Sequence, residues 1–120
     1  TLTLGTCTSL VSLPDSIGEL ANLQTLNLGG CEKLESLPEG IGDLKALQTL
    51  RLFRCENLKS LPERLGECKS LTDLNLYMCD RLGPILSLPS SLHKLVLPQH
   101  LTRAYETLRD LEGAIRSSPW

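Results

Sequence analysis

Apolar positions recur along this chain on a 24-residue ruler. Leu26, Leu28 and Leu34 are matched by Leu50, Leu52 and Leu58, then by Leu74, Leu76 and Leu82, while Cys7, Cys31, Cys55 and Cys79 keep the same spacing. Written from the prolines, residues 13–36, 37–60 and 61–84 are three aligned units; the half unit TLTLGTCTSLVS precedes them and the shortened LPSSLHKLVL follows. Each unit changes period along its length. Leu50 and Leu52 alternate with Thr49, Arg51 and Phe53, as in a strand with one buried face. Cys55, Leu58 and Leu61 then carry an apolar spiral to Pro62. The acid that follows, Glu63 (Asp15 and Glu39 in the other units), favours a helix start, with proline expected at the first helical position, where its missing N–H is not needed. A single closed core gives no reason for such a register. A stack of like coils does, because each coil buries its apolar edge on its neighbours. The pattern therefore predicts an α/β solenoid of about five parallel strands, with short helical or irregular legs opposite the sheet.

The alignment also assigns the less regular residues. Cys68 falls with Leu20 and Leu44 and reads as a small buried hydrophobe. Gly18, Gly42 and Gly66 coincide, which calls for positive φ or close backbone approach. The four ladder cysteines read as core fillers at the strand turn; a straight ladder does not converge on a tetrahedral zinc. His93 shares a variable strand position with Gln24, Gln48 and Thr72, and His100 is expected in the turn before a final helix. At the C-terminus only Ser90 and Ser91 separate Pro89 from Leu92, so the last unit lacks its helical leg. Leu101, Ala104, Tyr105, Leu108, Leu111 and Ile115 then stand at helical spacing with Arg103, Glu106, Arg109, Asp110 and Glu112 opposite. That amphipathic pattern predicts a capping helix. The expected organisation is a stack over 1–97, with a cap and tail over 98–120. The first coil opens mid-unit without a polar cap, so the natural chain is expected to continue upstream.

Composition narrows the function. A net charge of −2 over 120 residues gives no electrostatic footprint for nucleic acid or an anionic membrane. No apolar run is long enough to span a bilayer, and no signal peptide is present at this N-terminus. Thiols on a ladder point alike rather than at one another, and no asparagine lies in a glycosylation sequon. Both point to a reducing, cytoplasmic setting. No catalytic constellation, phosphate loop, metal motif or cofactor fingerprint occurs. The expectation is a non-enzymatic module without cofactor, monomeric by itself.

What remains is a surface. The outward strand rows are Thr25, Thr49, Asp73, Lys94 and Asn27, Arg51, Asn75, Val96, followed by Gly29, Phe53, Tyr77 and Gly30, Arg54, Met78. Core rows barely change between units, whereas these change completely. Phe53 is the only phenylalanine and Tyr77 one of two tyrosines, one repeat apart in one row. Aromatic residues, Met and Arg are enriched at interfaces. The candidate protein-binding residues are Arg51, Phe53, Arg54, Asp73, Asn75, Tyr77 and Met78.

The L-x-x-L-x-L-x-x-C text resembles leucine-rich repeats. The phrases LQTLNLGGCEKLESLPEGIGDLKALQTL and LRLFRCENLKSLPERLGECKSLTDLNL are similar to the repeats of plant intracellular immune receptors of the nucleotide-binding type. That resemblance covers about residues 1–97. It implies a curved right-handed superhelix with parallel strands on its concave face, which recognises a protein and restrains a nucleotide-binding switch in plant defence signalling. Similar LP-x-x-I-G repeats occur in Ras-pathway scaffolds, and LPSSLHKLVL resembles repeats of bacterial effector ubiquitin ligases. A substrate-selecting ligase arm and a stand-alone scaffold are therefore the alternative roles.

Overall fold

The structure is a computed structural model in which residues 1–85 and 87–102 are described. Five short strands, β1 (Leu2–Thr3), β2 (Thr25–Asn27), β3 (Thr49–Arg51), β4 (Asp73–Asn75) and β5 (Lys94–Val96), form one parallel sheet in chain order. Leu2, Leu26, Leu50, Leu74 and Leu95 pair across it, so one sequence unit advances the sheet by one strand. A slip of one residue would turn this entire leucine row to solvent, which pins the register.

Strands of two or three residues need support from the flanking turns, and the ladder runs on past them. Gly30 N–H donates to the Phe53 carbonyl at 2.8 Å, and Arg54 N–H to the Tyr77 carbonyl at 2.7 Å. A second ladder follows the descending side: Glu35 N–H to Val11 O, Lys59 N–H to Glu35 O and Gly83 N–H to Lys59 O. Between the two ladders Leu26, Leu28, Leu34, Leu50, Leu52, Leu58 and Leu76 are wholly buried. Each such side chain contributes about 1.5–3 kcal/mol of burial free energy.

The legs opposite the sheet are 3-10 helices, Asp15–Glu19, Glu39–Asp43 and Glu63–Glu67. Pro14, Pro38 and Pro62 do not occupy the first helical position, as the sequence suggested, but the cap before it, with extended backbone. In the tighter i→i+3 winding the proline carbonyl accepts the first bond, from Ile17, Ile41 or Leu65 N–H. The aligned glycines serve close approach rather than positive φ. A Cβ on Gly18 would lie 2.5 Å from the Gly40 carbonyl, and one on Gly42 would lie 2.7 Å from Arg64 Cβ.

The last unit is compressed as expected. Asp73 pairs with Lys94, and a turn at Ser90–Ser91 replaces the helical leg. Ser91 Oγ donates to the Leu71 carbonyl at 2.6 Å. A short helix, α1 (Gln99–Thr102), begins the C-terminal segment. His100 lies within it rather than in the turn before it. Its Nε2 is 2.7 Å from the Leu82 carbonyl, and Leu101 is buried against the core. The rest of the expected amphipathic helix, from Arg103 onward, lies outside the described residues. At the opposite end Leu20 is 46% exposed, whereas its equivalents Leu44 and Cys68 are fully buried between two neighbouring coils.

Candidate protein-binding face

The strand face brings part of the candidate set together directly. Leu50 and Leu74 point into the core, so Arg51, Asp73 and Asn75 point away from it. With Thr49, Lys94 and Val96 they line a shallow depression of about 60 Å³. Lys94 and Val96 therefore belong to the site although they were not among the candidates. They stand in the same rows one strand on, a signal the compressed last unit obscured.

The remaining candidates lie where the chain leaves the strands. Thr6, Gly30, Arg54 and Met78 occupy one repeat position with φ of 61°, 80°, 60° and 61°. The left-handed kink turns the chain so that the next residue, the ladder cysteine, enters the core. Glycine adopts it freely, whereas an L-side chain costs about 1–2 kcal/mol there. Arg54 is exposed and Met78 half-buried. Asn75 has a local duty: its Oδ1 accepts the Tyr77 N–H at 3.0 Å, as Asn27 Oδ1 does for Gly29 N–H. Such side chains mimic a backbone turn, so Asn75 retains mainly its amide N–H groups for a partner. Phe53 is half-buried because its ring lies over Gly29, where any Cβ would collide with it. Tyr77, one coil on, is 53% exposed.

Cations differ sharply between the two sides. Away from the strand face, Arg64 pairs with Asp43 at 2.5 Å and with Glu67 at 3.0 Å, and Lys59 pairs with Glu35 at 3.0 Å. Lys45 Nζ bonds the Gly42 and Glu67 carbonyls at helix ends, and Arg81 reaches the Asn57 side chain. The Arg64 guanidinium holds the Asp43 carboxyl below the usual carboxylate range, and Asp43 and Glu67 together raise the Arg64 pKa. Among the described residues, the side chains of Arg51, Arg54, Asp73 and Lys94 make no hydrogen bond or ion pair within the chain.

The cysteines are free thiols. Cys31, Cys55 and Cys79 each donate S–H to a carbonyl of the preceding coil, Leu4, Leu28 and Leu52, at 3.0–3.2 Å. Cys68 does the same to Ile41 at 3.1 Å, a polar duty that reading it as a plain hydrophobe missed. Burial pushes the Cys55 thiol up to about 12 and the Cys68 and Cys79 thiols up to about 11. Nucleophiles and metal ligands need thiolate, so these groups are structural. Among the described residues no cluster of His, Cys, Asp or Glu could hold a metal, and no helix is long and apolar enough to cross a membrane.

A solenoid of parallel strands and 3-10 legs, with its variable polar and aromatic rows gathered on the sheet, defines a repeat protein built for recognition. The family model of a leucine-rich repeat region matches residues 2–110, and the chain belongs to that family. A similar solved structure is the leucine-rich repeat domain of the type III effector XCV3220 (XopL). It is 28% identical with a TM-score of 0.63, over 78% of this chain and 40% of that one. The present chain thus spans less than half the length of that protein chain. No curated protein matches it.

Proposed function

We propose that the chain is a protein-recognition module, without catalytic activity or cofactor, which binds a protein ligand on its concave strand face. The carrying observation is the contrast between rows. The core rows are nearly constant, while the strand-face rows change in every coil and hold Arg51, Arg54, Asp73 and Tyr77 exposed or half-exposed without internal side-chain partners. Arg51, Phe53, Arg54, Asp73, Asn75, Tyr77 and Met78 form the contact set. The cysteine ladder and the LP-x-x-I-G text favour a larger cytoplasmic immune-type receptor, in which this stack is the sensor or regulatory arm. The C-terminal segment over 98–120 then caps the stack, a role consistent with buried Leu101.

A second reading is favoured by the likeness to a repeat domain of a type III effector: a substrate-selecting arm of a ubiquitin ligase. A nucleotide-binding domain preceding Thr1 in the full-length gene product would support the receptor. A downstream domain with a catalytic cysteine would support the ligase. For the module itself, binders selected from a displayed single-domain library on the native protein should lose binding to a Phe53→Ala, Arg51→Glu variant. Undiminished binding of all selected clones would overturn the assignment of this face.

A further inference from the structure

Charge is segregated around the coil. The chain carries a net −2, yet its strand face and the turn after it hold Arg51, Arg54 and Lys94 against Asp73 alone. The acids lie elsewhere. Glu39, Asp43 and Glu67 belong to the 3-10 legs, and Glu32, Glu56 and Asp80 follow the cysteines where the chain leaves the sheet. Several cations off the face are already satisfied by carboxylates or carbonyls, whereas the three on it have no partner among the described residues. Arg54 is moreover held at φ 60°, where the preceding coil uses glycine.

We propose that this face, from β3 to β5, binds an acidic, extended peptide segment of a partner protein. Carboxylates of the segment sit on Arg51, Arg54 and Lys94, and one apolar side chain of the segment lies against Tyr77. Three features select this occupant. Arg presents a planar fork that takes a carboxylate through two parallel bonds. The depression between Arg51 and Lys94 is shallow, about 60 Å³, which suits side chains of a strand laid across the sheet rather than an enclosed small molecule. The acidic row Glu32, Glu56, Asp80 borders the face and repels a carboxylate-rich chain, confining it to the strands. The inference rests on the strand face being the recognition surface.

The test uses three fluorescein-labelled peptides: Glu-Glu-Leu-Glu-Glu-Leu-Glu-Glu and its versions with Gln or Lys in place of Glu. Each is titrated by fluorescence anisotropy against the full chain, the Arg51→Glu/Arg54→Glu variant and a Lys33→Glu control away from the face. Retained far-UV circular dichroism and melting show that the variants are folded. The expected result is binding of the Glu peptide at least about tenfold tighter than the Gln peptide, weakening with salt. The loss should be about tenfold or more in the double variant and less than about twofold in the control, as expected for desolvated against exposed charges. If the Gln or Lys peptide binds best and still fails on the double variant, the acidic class is wrong while the recognition face stands. If the Glu peptide binds the double variant undiminished, the location is wrong and the recognition reading loses its support. Failure of all three peptides to bind also overturns the proposal.

Discussion

Replacing Cys55 with alanine removes one sulfur from a wholly buried position and one S–H donor from the Leu28 carbonyl, 3.2 Å away. The lost apolar volume is comparable to a buried methylene, about 0.8 kcal/mol, and the cavity adds to it. The hydrogen bond, from a weak donor, adds about 0.5 kcal/mol. The Leu28 carbonyl is not orphaned, because it also accepts the Cys31 N–H at 3.2 Å. The sum is about 1.5–2 kcal/mol, roughly 6–8 °C in melting temperature for a domain of this size. Cys7→Ala is the internal control. Cys7 is half-buried and its thiol donates to no carbonyl, so its loss should cost less than about 0.5 kcal/mol. Urea titration of both variants, followed by circular dichroism, should show a lower midpoint with unchanged slope for Cys55→Ala only. Equal midpoints for the two variants would refute the interlocked ladder of thiol and carbonyl.

Native protein treated with iodoacetamide at mildly alkaline pH should be alkylated at Cys7 while Cys31, Cys55, Cys68 and Cys79 stay protected, as peptide mapping would show. Because burial raises three of these thiols from 9.0 to about 11–12, their stabilising contribution is complete below pH 9 and is lost as pH climbs through those values. Circular dichroism should therefore report alkaline unfolding that a Cys7→Ala change does not alter. Arg54→Gly should raise stability by about 0.5–1 kcal/mol through relief of the left-handed strain, whereas Gly30→Val, at φ 80° and close to Thr6, should lower it by about 1–2 kcal/mol; thermal melts decide both. Asp43→Asn should reduce stability at neutral pH. The difference from wild type should shrink as pH falls below the ordinary carboxylate value of 3.8 through the depressed Asp43 pKa, as pH-dependent urea midpoints would reveal.

Much of the fold was legible because the repeat writes the same constraint several times. Leu26, Leu50 and Leu74 occupy one row, and a residue that recurs at a fixed interval must recur in space if coils stack. The shortened last unit was equally plain, since LPSSL leaves no room for a helical leg. Less visible was how the legs wind. Pro62 was placed one position too far along because sequence does not distinguish an i→i+3 turn from the first turn of an α-helix. The thiol bonds were also hidden: apolar periodicity shows that Cys68 is buried, but not that the Ile41 carbonyl lies within reach. On the strand face, side-chain composition suggested contacts but not local duties. Asn75 is partly committed to its own turn and Phe53 to covering Gly29, both decided by geometry between coils. Lys94 and Val96 escaped selection because their unit is shortened, although the sheet register places them beside Asp73 and Asn75.

The most direct test of the account is an amide chemical-shift titration of the isotope-labelled chain with the Glu-Glu-Leu-Glu-Glu-Leu-Glu-Glu peptide. The account predicts saturable shifts grouped on Arg51, Arg54, Tyr77 and Lys94, with the legs around Asp43 and Glu67 unmoved. Shifts grouped on the 3-10 legs, or none at saturating peptide, would contradict it.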